Sequence, residues 1–294
     1  MDGILLVDKP EGMTSADVVR VAKRCLRVKT GHLGTLDPFA SGVLPVCVGE
    51  GTKIAQFLNT ADKEYVGRIR LGSATDTGDP TGTVTTTAPL PALHAEDLVA
   101  VARRFTGERL QTPPMYSAIK RHGTPLYALA RQGIEVERVP RHVHIHALRL
   151  ADAGDGSVEF SVTCSKGTYV RVLAAEIAVA LGTVGHLETL RRTRFGPFRL
   201  EDAITPDALD HAAAHVIGLR EALVGLREIR IDAAGVQQAR HGQVQVLRSL
   251  PPGTPCEAVK LIGPNGELAS VVVVDHGGDW RFARVFGDER AAAR

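Results

Sequence analysis

Apolar positions recur along the chain at two periods, and the periods predict its elements. The segment "TSADVVRVAKRCLRVK" opens with Thr14 and Asp17 at capping-box spacing. Val18, Ala22, Cys25 and Leu26 then share one helical face, with Arg20, Lys23, Arg24 and Arg27 elsewhere, which predicts an amphipathic helix with a basic outer side. "YVGRIRLG" alternates, with Tyr65, Ile69 and Leu71 against Arg68 and Arg70, and predicts a strand. "SATDTGDPTGT" reads as a loop, and its acids lack the spacing of a calcium loop, so a plain turn is expected. "HVHIHALRL" and "SVEFSVTCS" also alternate and, joined by "ADAGDG", predict a hairpin. The chain then passes through "SKG" into "TYVRVLAAEIAVALG", where Val170, Leu173, Ala174, Ile177 and Leu181 repeat at helical spacing and Gly182 stops the helix. Tyr169 and Arg171 therefore fall where a strand hands over to a helix.

Near residue 225 the pattern shifts. "IDAAGVQQARHGQ" predicts a short helix, and "PCEAVKLI", "LASVVVVD" and "WRFARVF", separated by "GPNGE" and "HGGD", predict strands. A division into residues 1–225 and a small β-rich module over 226–294 is expected.

Composition changes this picture little. At 294 residues, 44% hydrophobic and 23% charged, the chain is of ordinary globular make-up. The apolar run in "MDGILLVDKP" is too short for a signal peptide or a membrane span, and no later run is long enough, so a cytoplasmic protein with no membrane association is expected. Cys25, Cys47, Cys164 and Cys256 are scattered without a CxxC pair, which disfavours a zinc site or a disulfide framework. Net charge is only +2, but its distribution is uneven. From Lys120 to Arg149 six Lys/Arg face two acids, Glu135 and Glu137, and "RRTR" forms a second basic cluster at 191–194. Such patches can footprint a polyanion, although charge alone favours a solvated face balanced by acids elsewhere.

The candidate chemistry centres on "GHLGTLDPFASGVLPV", whose one acid is Asp37. By itself Asp37 before Pro38 reads as a turn residue. A reactive carboxylate would need a close apolar pocket and a cation from elsewhere in the chain. His142, His144 and His146 share a strand face, but no carboxylate is expected beside them to complete a metal site.

"LLVDKPEGMTS", "GHLGTLDPFASGVLPV", "KEYVGRIRLGSATDTGD", "PPMYSAIKRHGTPLYALARQG" and "CSKGTYVRVLAAEIAVALG" together resemble the TruB family of bacterial pseudouridine synthases, which act on uridine 55 of tRNA. The resemblance spans nearly all of the first 225 residues. It implies an α+β fold, a mixed, largely antiparallel sheet flanked by helices. It also implies an RNA-gripping insertion at about 85–145 and, more weakly, a C-terminal β-barrel like a PUA domain. It implies isomerisation of a flipped uridine in the T loop, with no cofactor or metal because no atoms enter or leave. The partner implied is the tRNA T stem-loop, bound by a monomer with no obligate protein partner. By the same resemblance Asp37 is the essential carboxylate, Arg171 its partner, holding it ionised with a lowered pKa, and Tyr65 the stacking and proton-relaying tyrosine. His32 matches a residue that wedges into the loop, and Lys9, Tyr169 and Leu190 match positions lining the site. Arg141 falls in the basic insertion, among residues expected to contact RNA. Three other readings are weighed beside this one: a guide-directed synthase, an RNA-folding factor, and a metal hydrolase built on the histidine face. The intact set of Asp37, Tyr65 and Arg171 and the stand-alone form of the "MYSAIKRHG" segment favour the bacterial synthase.

Overall fold

In the computed structural model of the protein, residues 1–121 and 123–287 are described; His122 and residues 288–294 lie outside them. The chain opens with β1 (Gly3–Lys9), α1 (Ser15–Leu26), β2 (Thr30–His32), β3 (Ser41–Val48) and α2 (Gly51–Leu58). β4 (Lys63–Leu71), the ribbon β5 (Ser73–Thr75) and β6 (Val84–Thr87), α3 (Ala95–Phe105) and β7 (Gly107–Gln111) follow. A sparsely structured stretch holds β8 (Lys120–Arg121), β9 (Thr124–Pro125) and α4 (Leu126–Ala130). The hairpin β10 (Arg141–Asp152) and β11 (Ser157–Cys164) leads to α5 (Val170–Ala180), β12 (Gly185–Phe195) and β13 (Phe198–Arg199). Beyond two 3-10 segments come β14 (Ile217–Gly218) and α6 (Leu219–Ala222), then β15 (Arg227–Arg230), α7 (Ala233–Arg240), α8 (Gln245–Arg248), β16 (Ala258–Ile262), β17 (Leu268–Val274) and β18 (Trp280–Val285).

The main sheet runs β14-β1-β3-β12-β4-β11-β10-β7, with β13 beside β12 and β2 beside β3. Its pairs are antiparallel except β3 with β12, so the expected mixed, largely antiparallel α+β sheet is present. β1 and β3 sit between two cores, which is why they are apolar without alternation. Leu5, Val7, Leu44 and Val46 face one core, with α1, α3 and α5; Ile4, Leu6, Val43 and Cys47 face the other, with α2. β4 does alternate, burying Tyr65, Ile69 and Leu71. α1 begins with the predicted capping box: Thr14 Oγ1 accepts from the Asp17 amide at 3.1 Å, and Asp17 Oδ2 accepts from the Thr14 amide at 3.0 Å. A cap of this kind is worth about 1 kcal/mol.

The parallel contact between β3 and β12 marks the middle of the sheet. Gly42 faces Arg192 there with φ +108°, and a Cβ would stand 2.2 Å from the Arg192 carbonyl oxygen. Only glycine lets the two strands meet this closely. The loop carrying Asp37 enters β3 just before this point, and α5 starts just beyond the end of β11. The central strands thus deliver both halves of the candidate site.

The histidine face departs from expectation. A bulge lies between Ile145 and Ala147, the His144 and His146 rings stand 4.6 Å apart, and His146 Nε2 lies 3.2 Å from Asp62 Oδ1. A carboxylate is therefore nearby after all, brought by the turn before β4. Among the described residues no group of three or more His, Cys, Asp or Glu side chains is arranged to hold a metal.

The C-terminal strands form a sheet in the order β15-β16-β17-β18, with β15 parallel to β16. Among the described residues no pairing joins β15 to β18, so this sheet is open where a closed barrel was expected. One face packs on α7 and α8. From the other side Ile262, Leu268, Val271 and Phe286 join Ile4, Leu6, Ile54, Phe195 and Leu219 in a single apolar cluster. The buried Lys260 Nζ donates to the Arg220 carbonyl at 3.1 Å and pairs with Glu228 at 3.1 Å, fixing β16 to the segment before it. The module is thus built into the second core of the main sheet. Phe286→Ala should lower stability by about 3–5 kcal/mol. In urea it should do so within one cooperative transition that takes both sheets; a separate early transition of the C-terminal sheet would contradict a shared core.

Candidate active site

The Asp37 loop is held from behind by two side chains. Ser15 Oγ donates to the Leu36 carbonyl at 3.1 Å and accepts from the Leu36 amide at 2.9 Å. Lys9 is fully buried, and its Nζ donates to the carbonyls of Met13, Pro10 and Pro38 at 2.7, 2.9 and 3.3 Å. Burial pulls the Lys9 ammonium down to about 8, against the upward pull of Asp37. Sequence resemblance put Lys9 in the lining of the site. In the structure it lines neither cavity at Asp37; its ammonium is spent on backbone that shapes the loop.

Arg171 comes from the first turn of α5 and is 6% exposed. Its Nε lies 2.9 Å from Asp37 Oδ2, and its Nη2 donates to Asp37 Oδ1 at 3.3 Å, a two-point grip that fixes the plane of the carboxylate. The remaining donors are also engaged. Nη1 donates to the Thr77 carbonyl at 2.7 Å and faces Asp79 Oδ2 at 3.5 Å; Nη2 also donates to the Tyr116 carbonyl at 2.7 Å. Asp79 is itself buried, with Oδ1 accepting from the Thr77 and Thr81 hydroxyls at 2.7 and 2.6 Å and from the Thr81 amide at 3.0 Å. The segment expected to be a plain turn therefore supplies the second carboxylate of a buried Asp–Arg–Asp network. Its spacing gives no sign of this, because Asp79 acts through a partner 92 residues away.

Arg171 pulls the Asp37 carboxyl down, as expected, but it does not win. Burial is the larger effect and pushes it up, and Asp79 pushes it further, so the net shift is upward. About a third of the Asp37 side chain opens into the cavities (35%). Asp37 lies on the wall shared by two adjoining cavities of about 260 and 480 Å³. The smaller is walled by Tyr65, Tyr169, Leu190 and Arg192, and the larger reaches His32, Tyr116 and Arg131.

The structure thus brings together Asp37, Arg171, Tyr65, Tyr169, Leu190 and His32. Tyr65 is buried on β4, and burial pushes its phenol up. Tyr169 caps α5. Its amide donates to Gln111 Oε1 at 2.7 Å and its carbonyl accepts from Gln111 Nε2 at 3.2 Å, so β7 fixes this wall. His32 ends β2; burial and then Arg192 pull its imidazole down, which favours the neutral ring. Arg141, exposed at the start of β10, lines neither cavity but acts electrostatically on Tyr169. The "RRTR" cluster is not the surface patch its charge suggested. Arg191 pairs with Asp8 at 2.7 Å, Arg194 with Glu64 at 2.6 Å, and Arg192 is completely buried. Ser15, Asp79, Gln111 and Arg192 are the site residues that sequence reasoning missed.

Comparison with known proteins gives the family. Residues 22–170 match the model of the N-terminal domain of TruB family pseudouridylate synthase, and residues 171–228 match the tRNA pseudouridylate synthase B C-terminal domain. The chain is 46% identical over 273 residues to tRNA pseudouridine synthase B of Aromatoleum aromaticum, covering 91% of this chain and 86% of that one. It is 49% identical over 256 residues to tRNA pseudouridine synthase B of Burkholderia pseudomallei, covering 85% and 84%. The solved Cbf5-Nop10-Gar1 complex contains a chain that superposes with a TM-score of 0.72 at 26% identity, covering 98% of this chain and 86% of its counterpart. The fold is that of the pseudouridine synthases. The chain belongs to the TruB family.

The electrostatics give a test. A carboxyl with a raised pKa loses its ionised form as pH falls through that raised value, earlier than an ordinary aspartate would. Asp79→Asn withdraws one of the charges that raise Asp37, so Asp37 should ionise at lower pH. The acid limb of the single-turnover rate of pseudouridine formation should therefore move to lower pH, while the plateau rate falls because Arg171 loses an anchor. A limb that stays in place would show that Asp79 does not act on Asp37.

Proposed function

We propose that this chain isomerises uridine 55 in the T loop of tRNA to pseudouridine, with Asp37 as the reacting carboxylate. The observation that carries the reading is the two-point Asp37–Arg171 pair, fixed from behind by Asp79 and opening into a cavity walled by Tyr65 and Leu190. Breaking a glycosidic bond gives C1′ cationic character. A carboxylate held in one plane can attack C1′, or can take a proton from C2′ to give a glycal; both routes need the ionised form. The uracil turns in the cavity and rejoins ribose through C5. No atoms enter or leave, so the reaction calls for no cofactor and no metal. Tyr65 and Leu190 form the walls against which a flipped base is held, and Tyr169 lies beside them.

The target must leave its stack before it reaches Asp37, at a cost of a few kcal/mol. His32, at the rim of the larger cavity and favoured as a neutral ring, suits a side chain that enters the space the base vacates. The stretch from 112 to 140 carries few regular elements and exposes Arg121, Arg131 and Lys120 beside apolar Ile134 and Val139, a mixture that suits a folded RNA surface. The C-terminal sheet serves, in this reading, as a PUA-like RNA-binding module on a monomeric, cytoplasmic enzyme. Among the described residues no helix is long and apolar enough to cross a membrane.

Incubation with an unmodified tRNA transcript, followed by carbodiimide-stop mapping, should place one pseudouridine at position 55; an unmodified transcript would refute the reading. Asp37→Asn should abolish product in single turnover while tRNA affinity stays within a few-fold, because the amide keeps the shape but is a poor nucleophile and a poor base. The RNA surface has its own test. Arg131 and Arg141 are both exposed, whereas Arg138 is tied to Glu135 and Pro113. Replacing Arg131 and Arg141 with Ala should flatten the dependence of log affinity on log salt by about 1–2 units. The chemical rate at saturating tRNA should change far less than the affinity.

A further inference from the structure

Arg192 is a large cation of the site that the proposed reaction leaves without a task. It is completely buried, on β12 between β3 and β4. Its Nε donates to the Val43 carbonyl at 2.8 Å, and the guanidinium stands 5.3 Å from the centre of the Phe195 ring. Nη1 and Nη2 are buried and have no partner in good hydrogen-bonding geometry; the side-chain group close enough to act on the guanidinium as a looser hydrogen-bond partner is the Tyr65 hydroxyl. Among the described residues no carboxylate forms an ion pair with it, in contrast to Arg171, which has two. A buried arginine without a carboxylate partner is costly to the fold, and an apolar side chain of similar size would avoid that cost.

The position of Arg192 suggests what the charge does. Arg192 and Tyr65 are directly opposite each other in the antiparallel pairing of β12 with β4, so their side chains emerge on the same face. Both line the cavity that holds Asp37. Three charged or titratable groups act on the Tyr65 phenol from the elements around it. Arg192 on β12 favours the ionised form, Cys164 on β11 and Asp37 in its loop oppose it, and burial opposes it most. Lys63, two residues before Tyr65, donates to the Ala61 carbonyl at 2.6 Å and sits over the Phe195 ring, and its ammonium is pulled down to about 8 by burial and by Arg192. Arg192 is thus the cation that faces Tyr65, and Tyr65 is the acid that faces Arg192.

We propose that Arg192 is a positioning residue for proton transfer: its unmatched guanidinium nitrogens hold the Tyr65 oxygen and balance its negative charge while Tyr65 exchanges protons with the uracil ring. This inference rests on the function proposed above. N1 leaves C1′ with the electron pair of the glycosidic bond, and takes a proton from the Tyr65 hydroxyl. C5 bonds to C1′, and the C5–H bond breaks, its electrons returning to the ring and its proton passing to the Tyr65 oxygen. One proton is given and one recovered, so tyrosine is regenerated and uridine becomes its isomer. Between the two transfers Tyr65 is a phenolate in a buried cavity, and Arg192 is the cation placed to accept it.

The test uses the full-length enzyme, tRNA carrying uridine or [5-²H]uridine at the target, and single-turnover rates at saturating enzyme. Arg192→Gln should leave tRNA affinity within a few-fold and slow pseudouridine formation by about 10²-fold, the scale of general acid–base assistance. The C5-deuterium isotope effect should appear or grow, because removal of the C5 proton becomes the slow step. Arg192→Lys, which keeps the charge, should recover part of the rate and reduce the isotope effect again. If Arg192→Gln does not fold, as judged by circular dichroism and Tm, Arg192→Lys carries the test by itself: the lysine lacks the fork, so an enlarged isotope effect supports the proposal. An isotope effect unchanged from wild type in a folded variant overturns it, whether the rate is normal or uniformly slow, since a merely structural role slows both substrates alike. Failure of the wild-type enzyme to modify tRNA would sink the proposed function instead, and is read in a separate arm without any variant.

Discussion

The site depends on one buried guanidinium. Arg171 carries a single positive charge between two carboxylates, Asp37 and Asp79, and gives its spare donors to two backbone carbonyls. Removing Arg171 would leave two carboxylates facing each other without a cation, which is why such a network constrains everything around it. The constraint reaches four separate segments. The loop before β3 presents Asp37, and the loop between β5 and β6 presents Asp79 and Thr77. The stretch after β7 presents Tyr116, and the start of α5 presents Arg171 itself. Each must arrive within hydrogen-bond reach, so the position of these loops is set by the charge network as much as by the cores beneath them. Lys9 and Ser15 then fix the one loop whose carboxylate must stay open to the cavity.

That network also sets the reactivity of Asp37. A lone aspartate in so enclosed a place would tend to hold its proton, and an aspartate paired with an arginine alone would be held well ionised. Here burial and Asp79 act against Arg171 and the balance lies on the raised side. A carboxylate in this state is less comfortable as an anion than one in water. It is therefore a better nucleophile or base than its geometry alone would suggest. The expectation that the arginine would lower the pKa considered one partner; the second carboxylate and the loss of water reverse the sum.

Local chemistry was legible in the sequence, and long-range electrostatics were not. The capping box at Thr14, the alternation of β4, the hairpin β10–β11 and the helix after Tyr169 all follow from neighbours within a few residues, and all are present. Asp37, Tyr65 and Arg171 were found through the motifs that carry them, and the structure brings them to one cavity. Asp79 and Arg192 were missed for a shared reason. Each is a charged residue in a segment whose composition reads as surface, a Gly/Asp/Thr loop in one case and a run of arginines in the other. Only the fold reveals that one is buried against Arg171 and the other behind Tyr65. Burial of a charge leaves no periodic trace, because it depends on a partner from a distant strand.

The C-terminal sheet adds a mechanical consequence. Its apolar outer residues complete the same core that carries Ile4, Leu6 and Val43, on the strands that lead to Lys9 and to the Asp37 loop. Phe195 belongs to that cluster too, and its ring lies under both Lys63 and Arg192. The face of the main sheet that the C-terminal strands cover is therefore continuous, through a single aromatic ring, with the cationic wall of the cavity. The C-terminal sheet and the cavity wall thus meet at Phe195, one packed in its cluster and the other on its ring. The sequence pattern that shifts near residue 225 therefore does not divide the core, since residues from both sides of it pack in one cluster.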